Sequence, residues 1–319
     1  MQRKIYIPSL EEINKAIIEF EQEDWSNNDI SKVEKYVSKL DRYFISKFGF
    51  ILKTLRASNT NNLPNKVFRL RKHESGINTS LITEFSHPPV YKTSIQRANL
   101  PSHPIFYCAP SASTALFEML QLTYKENEDN SYYLSEWVFL QDLPVYVSLF
   151  IYGEYERVDL YNSWSEKSFS DLRKKLPELT DDESVRLRSI LSYFSKLFEK
   201  NENHYLSSYL GHIHFYDKTN IRTDVMIYPS IQTDKSSLNF AIHPNAVFHK
   251  MRLNRIFSFK VKSYKADFNK TGVRASFEFG IEDRLGINNE HGYLAWRNLP
   301  NEDLNDFKKL FPEASLFPH

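Results

Sequence analysis

The sequence predicts an α+β fold, on three observations. Helical and strand-like segments are mixed without a regular βαβ rhythm, which argues against a doubly wound parallel sheet. The first sixty residues read as helical, and from Val67 the texture changes to short strands. Hydrophobic residues make up 41% and charged residues 25% of the 319 positions, a composition that builds a packed core in one large domain or two ordinary ones.

Each element follows from a local signal. Ser9 with Glu12 forms a capping box ahead of Ile13, Ala16, Ile17 and Phe20. A second helix is expected from Asp29, with Ile30, Val33, Val37, Leu40, Phe44 and Phe48 as its apolar stripe. Ala57 to Asn62 reads as a polar linker that Leu63-Pro64-Asn65 punctuates. Val67 to Arg71 alternates apolar and charged residues, as a half-exposed strand does. Ile105–Ala109 suits a buried strand, and Ser113 or Thr114 is the expected N-cap of a helix through Ala115 and Leu122. Tyr132–Leu140 and Val145–Ile151 are strands broken by Asp142-Leu143-Pro144. Thr180 with Glu183 marks a second capping box, before a helix through Val185, Ile190, Leu191, Phe194 and Leu197. Further strands are expected at Ile221–Ser230, Asn239–Ile242, Ile256–Val261 and Val273–Phe279, and a short helix at Glu302–Phe311.

Composition excludes several classes of function. Lys and Arg (41) balance Asp and Glu (40), so no global field recruits nucleic acid or an anionic membrane. The single cysteine, Cys108, rules out an intramolecular disulfide and suits a reducing cytoplasm. The N-terminus turns acidic before any apolar run, unlike a signal peptide, and no segment approaches the ~20 apolar residues of a membrane span. A cytoplasmic location is therefore expected. With 8 glycines and neither GxGxxG nor GxxxxGK[ST], the chain lacks backbone phosphate cradles, and any nucleotide must be gripped by side chains.

Three residues stand out: Arg97, Tyr107 and Glu118, ten and eleven positions apart. Glu118 lies among Leu116, Phe117, Met119, Leu120 and Leu122, where a carboxylate is costly unless partnered. Such a trio suits cleavage of NAD. Its nicotinamide is already cationic and departs neutral, so the leaving group needs no general acid. The barrier lies in the oxocarbenium-like ribose, which one carboxylate can stabilise. Ordinary glycosidases use two because their leaving group is a poor alkoxide. Tyr107 offers a flat face to the nicotinamide end, and Arg97 a fork for the diphosphate. Arg69, on the first strand, is a second candidate for phosphate or ribose. This chemistry calls for no metal and no cofactor beyond NAD as substrate.

The stretch from Val67 to Glu118 resembles the first half of a RES domain, with Arg97-Ala98-Asn99, then a strand bearing Tyr107, then a helix bearing Glu118. The second half is similar at Ile227-Tyr228-Pro229-Ser230-Ile231 and at the Asn-led strand Asn239-Phe240-Ala241-Ile242. The resemblance covers roughly residues 63–262 and implies an ADP-ribosyltransferase-like mixed β core. It implies catalytic places for Arg97, Tyr107, Glu118 and Ser230, and NAD-binding places for Arg69 and Asn99. It further implies NAD degradation by hydrolysis or phosphorolysis, in a toxin that an antitoxin protein neutralises. Residues 1–62 would be a helical appendage, about 152–215 an insertion and 263–319 a C-terminal extension. The sequence leaves water, phosphate or a macromolecule open as acceptor, so ADP-ribosyl transfer is the alternative, as is an inactive binding scaffold. A homo-oligomer stays open.

Four other features have plainer readings. His212-Ile213-His214 alternates like a metal pair on a strand face but lacks a third ligand. Asp181-Asp182-Glu183 reads as helix capping. Cys108 is expected to face away from Tyr107 as a core thiol, with a Cys–His nucleophile as the alternative. Lys250 to Arg255 reads as a solvated basic face.

Overall fold

The computed structural model describes residues 6–49, 55–152, 159–176, 178–200, 204–216, 222–233, 235–269, 272–289, 291–312 and 315–317. Helices α1 (Leu10–Gln22) and α2 (Val33–Phe48) precede strands β1 (Leu55–Asn59), β2 (Lys66–Lys72) and β3 (Phe106–Cys108). Helix α3 (Ala112–Thr123) leads to strands β4 (Ser131–Phe139) and β5 (Pro144–Leu149). Three helices follow: α4 (Asp159–Lys175), α5 (Asp181–Leu197) and α6 (Tyr205–Phe215). Then come β6 (Val225–Pro229), β7 (Leu238–Ile242), α7 (Pro244–Lys250), β8 (Met251–Asn269) and β9 (Gly272–Asn288). Strand β10 (Leu294–Asn298), helix α8 (Asn301–Leu310) and strand β11 (Ser315–Phe317) close the chain. The fold is α+β.

The chain divides into two compact units. The first comprises Met1–Ala57, Pro89–Ile105 and Tyr146–Pro229. Its core is aromatic: Phe20 stacks on Phe48 at 5.5 Å, and Phe44 meets Tyr209 at 5.0 Å and Phe194 at 5.5 Å. Two hydroxyls at the edge of this cluster find partners, as buried rings with polar tips usually do. Tyr209 donates to Asp41 at 2.7 Å and Tyr36 to the carbonyl of Tyr205 at 3.0 Å. Both expected capping boxes are present, at Ser9/Glu12 and Thr180/Glu183. Strands β5 and β6 pair in parallel, Val147 opposite Val225. Gly211 on α6 permits a close approach: a Cβ there would meet the carbonyl oxygen of Ala98 at 2.1 Å. Only glycine lets α6 lie against the loop that carries Arg97.

The second unit comprises Ser58–Pro88, Phe106–Val145 and Ser230–His319. Its antiparallel sheet runs β10-β9-β8-β4-β2, with β11 added in parallel to β9. One face is the core, where α3 supplies Leu116 and Leu120, the strands supply Phe68, Leu70, Leu134, Phe257 and Leu285, and Phe307 and Phe311 close it. Helix α3 therefore rests on a base that is partly built from residues beyond 262. Beneath the start of β8 lies a fully buried carboxylate, Glu136. It accepts from Asn254 at 2.7 Å, pairs with Lys66 at 2.8 Å and with Arg255 at 3.3 Å.

Several expectations are corrected. Ala57 to Asn62 is the end of β1 and a 3-10 turn in place of a linker, because Thr60 N–H donates to Leu143 O at 2.9 Å and the segment is held as structure. The α2 stripe is Tyr36, Leu40, Phe44 and Phe48. Val185 is 56% exposed and lies off the buried face of α5. Ile256–Val261 and Val273–Phe279 belong to one long hairpin, β8–β9. Arg255 is no solvated cation: only 14% of its side chain is exposed, and it binds Glu136, Asp303 and Asp306. Ile221, the expected start of a strand, lies outside the described residues.

Candidate active site

Helix α3 begins at Ser111, whose Oγ accepts from Thr114 N–H at 3.1 Å. The cap thus lies two residues before the expected Ser113, where Ser111 holds extended backbone and the helix begins at Ala112. Leu116 and Leu120 anchor the helix in the core, and Glu118 between them is half-buried. Its carboxylate has the partners that such a place requires. Ser230 Oγ donates to Glu118 Oε1 at 2.5 Å, and Asn239 Nδ2 donates to the same oxygen at 2.7 Å. Oε1 is therefore doubly tied. Among the described residues, Oε2 accepts no hydrogen bond.

The two donors are themselves fixed. Ser230 is fully buried, its N–H donates to Ser237 O at 2.9 Å, and its carbonyl accepts from Lys235 N–H at 2.8 Å. The hydroxyls of Ser237 and Thr114 meet at 2.7 Å, tying this turn to the first turn of α3. Asn239 is buried on β7. The sequence resemblance gave Ser230 its catalytic place; in the fold its hydroxyl hydrogen points to Glu118.

Strand register assigns Tyr107. It lies opposite Ala241 in the antiparallel β3–β7 pair, and Ala241 is two residues from Asn239. Because side chains alternate along a strand, Tyr107, Ala241 and Asn239 share the face turned to Glu118. Arg69 falls on the other side. Phe68 bridges Ala109, which shares Tyr107's face, so the next residue, Arg69, points away with Phe106 and Cys108. Its guanidinium lies 5.8 Å from the Phe106 ring and donates to Phe85 O at 3.4 Å. Register thus turns Arg69 to the face away from Glu118.

Electrostatics on that other face are set by burial. Burial, with help from Arg71, pulls Arg69 down to about 10, which leaves it cationic at neutral pH. Burial pushes the Cys108 thiol well above its ordinary range, against the opposing pull of Arg69. It stays protonated, so the Cys–His nucleophile is set aside and the core-thiol reading holds. Burial, then Arg69, lowers His87.

Arg97 and Asn99 belong to the first unit. Arg97 Nη1 donates to the carbonyls of Phe198 and, at 3.0 Å, Lys200, capping the C-terminal end of α5. Asn99 is buried, and its amide donates to Ser94 O at 2.9 Å and Leu100 O at 3.0 Å. These contacts shape the loop that carries Arg97. His212 and His214 lie on helix α6, not on a strand, where positions two apart diverge. His214 Nδ1 instead meets Leu210 O at 2.7 Å. Among the described residues no group of three His, Cys, Asp or Glu side chains could hold a metal ion.

Asn239 was the residue that sequence reasoning left off the site. Its signal was the Asn-led strand, but an amide on a buried strand declares a role only when its tertiary partner is known.

A model of the RES domain matches residues 66–262, more than half of the chain. The chain belongs to the RES-domain family. The RES segment carries Glu118, Ser230, Asn239 and Tyr107, along with Arg69, Arg97 and Asn99. Strands β9 and β10 and helix α8 lie beyond it. Membership fits an NAD-related role. No curated protein matches the chain. No helix among the described residues is long and apolar enough to cross a membrane.

Proposed function

We propose that this RES protein consumes NAD by cleaving the bond between nicotinamide and ribose. The observation that carries the reading is Glu118, with Oε1 held by Ser230 and Asn239 and Oε2 left for a ligand. A carboxylate fixed by two donors pays no reorganisation when positive charge develops nearby. In the reaction, the C1′–N bond breaks and both electrons go to the nicotinamide nitrogen, which leaves as a neutral ring. Glu118 faces the oxocarbenium and holds a ribose hydroxyl through Oε2. Water then adds to C1′ and loses a proton, giving ADP-ribose. Tyr107, on the same face, packs against the nicotinamide end.

The proposal extends to biology. Uncontrolled NAD loss is toxic, so the protein is read as a cytoplasmic toxin that an inhibitor or antitoxin protein holds in check. Incubating purified protein with NAD labelled in the adenylate moiety tests the chemistry. Free nicotinamide with label in ADP-ribose supports hydrolysis. Label in ADP-ribose 1″-phosphate only when phosphate is supplied would assign phosphorolysis, and label retained on a macromolecule would assign transfer. Intact NAD after prolonged incubation would contradict the proposal.

A further inference from the structure

The sheet face opposite α3 carries a row of residues in register across five strands. Arg71 on β2 lies opposite Tyr133 on β4, Tyr133 opposite Ser258 on β8, Ser258 opposite Arg284 on β9, and Arg284 opposite Asn298 on β10. Directly paired residues of an antiparallel sheet share a face, so the row is continuous. Leu70, Leu134, Phe257 and Leu285, each next in sequence to a member of the row, lie in the core beneath α3. The row therefore looks away from Glu118.

Over this row lies a cavity of about 400 Å³, lined by Thr79, Tyr133, Ser258, Arg284, Trp296, Arg297 and Asn298. That volume is within the range of small-molecule sites. One wall is the indole of Trp296, which covers Gly286 so closely that a Cβ there would meet the ring at 3.2 Å. Its Nε1 donates to Thr79 O at 2.7 Å, and Tyr133 stands beside it at 5.9 Å, so the ring is held in place. Tyr133 is fixed in turn by His73 at 2.8 Å. The cations of the region differ in commitment. Arg71 pairs with Glu84 at 2.9 Å and Arg297 with Asp303 at 3.2 Å. Arg284 is exposed, and among the described residues its guanidinium has no ion pair or hydrogen bond.

A rigid aromatic wall, hydroxyl and amide groups on the floor, and the Arg284 guanidinium, uncommitted among the described residues, make a distinct recognition pattern. We propose that this cleft binds a nucleoside monophosphate, with the base against Trp296, the sugar over Ser258 and Asn298, and the phosphate on Arg284. The site draws on β9 and β10, beyond the RES segment, and gives that part of the chain a ligand of its own. It does not depend on the NAD-cleavage proposal.

Titration with AMP, followed by calorimetry, tests it, with adenosine and inorganic phosphate as separate arms. Arg284→Gln is the variant, because an exposed residue with no partner among the described residues can change without disturbing the fold. The expected result is AMP bound by the native protein and at least about 10-fold weaker by Arg284→Gln, the loss of a charge-assisted contact. Adenosine should bind weakly and equally to both, and NAD turnover without AMP should agree within about twofold, as a charge outside the site commands no more. Absence of AMP binding at millimolar concentration, or equal AMP affinity in the two proteins, would overturn the proposal. Binding is read without turnover, so failure of NAD cleavage leaves this result interpretable.

Discussion

Removing the donors to Glu118 one at a time, and then together, probes how the carboxylate works. Ser230 Oγ and Asn239 Nδ2 both end on Oε1, at 2.5 and 2.7 Å. A hydrogen bond to a charged group contributes roughly 1.5–3 kcal/mol, so Ser230→Ala or Asn239→Ala should each lower kcat for NAD cleavage by about 10- to 150-fold. Both substitutions act through one carboxylate. The double variant should therefore lose less than the product of the two single losses, because a carboxylate already free to rotate loses little more. In a Glu118→Gln background neither substitution should matter beyond about twofold, since the group they hold is gone. Steady-state nicotinamide release for the eight combinations of the three sites gives the coupling directly. Ser230→Ala and Asn239→Ala with native kcat, or losses that multiply fully when Glu118 is already Gln, would refute the reasoning that these residues act through the carboxylate.

Three further outcomes follow from the fold. Gly211→Ala should destabilise the first unit by about 3 kcal/mol or abolish its folding, since the added Cβ would sit 2.1 Å from Ala98 O; an unchanged thermal midpoint would contradict the close approach. Glu136→Ala, which takes the fully buried carboxylate from Arg255 while Asp303 and Asp306 stay paired with it, should cost about 1–3 kcal/mol in denaturant unfolding, and an unchanged midpoint would mark the network as peripheral. His204, lowered from 6.5 to about 4 by burial and then by Arg97, is neutral in the fold and binds a proton more readily when unfolded. Its contribution is complete above pH 6.5 and is lost as pH falls toward 4, so His204→Gln should flatten that part of the stability–pH curve. A curve of unchanged slope would contradict the assignment.

What the sequence revealed depended on how local each signal was. The Ser9/Glu12 and Thr180/Glu183 boxes are complete within four residues, and both helices begin where they predict. The alternation of Val67 to Arg71 marked β2 for the same reason. Glu118 was conspicuous because an acid in an apolar helix needs partners, and the RES resemblance pointed to Ser230 as a site residue. Asn239 and the face of Arg69 were hidden because both depend on strand register, which joins segments far apart in sequence. His212 and His214 misled because two residues spaced by one fit a strand face, whereas the segment is the buried helix α6. Arg255 read as surface because its acidic partners, Glu136, Asp303 and Asp306, are remote in sequence. Tertiary pairing of charge leaves no local trace.

The most direct measurement is the rate of nicotinamide release from NAD by the native protein and by Glu118→Gln, which keeps the side-chain shape and removes the charge. The account predicts a fall in kcat of at least about 100-fold with KM changed far less, as expected for a group that acts on charge developing in the transition state. Equal kcat values would contradict it.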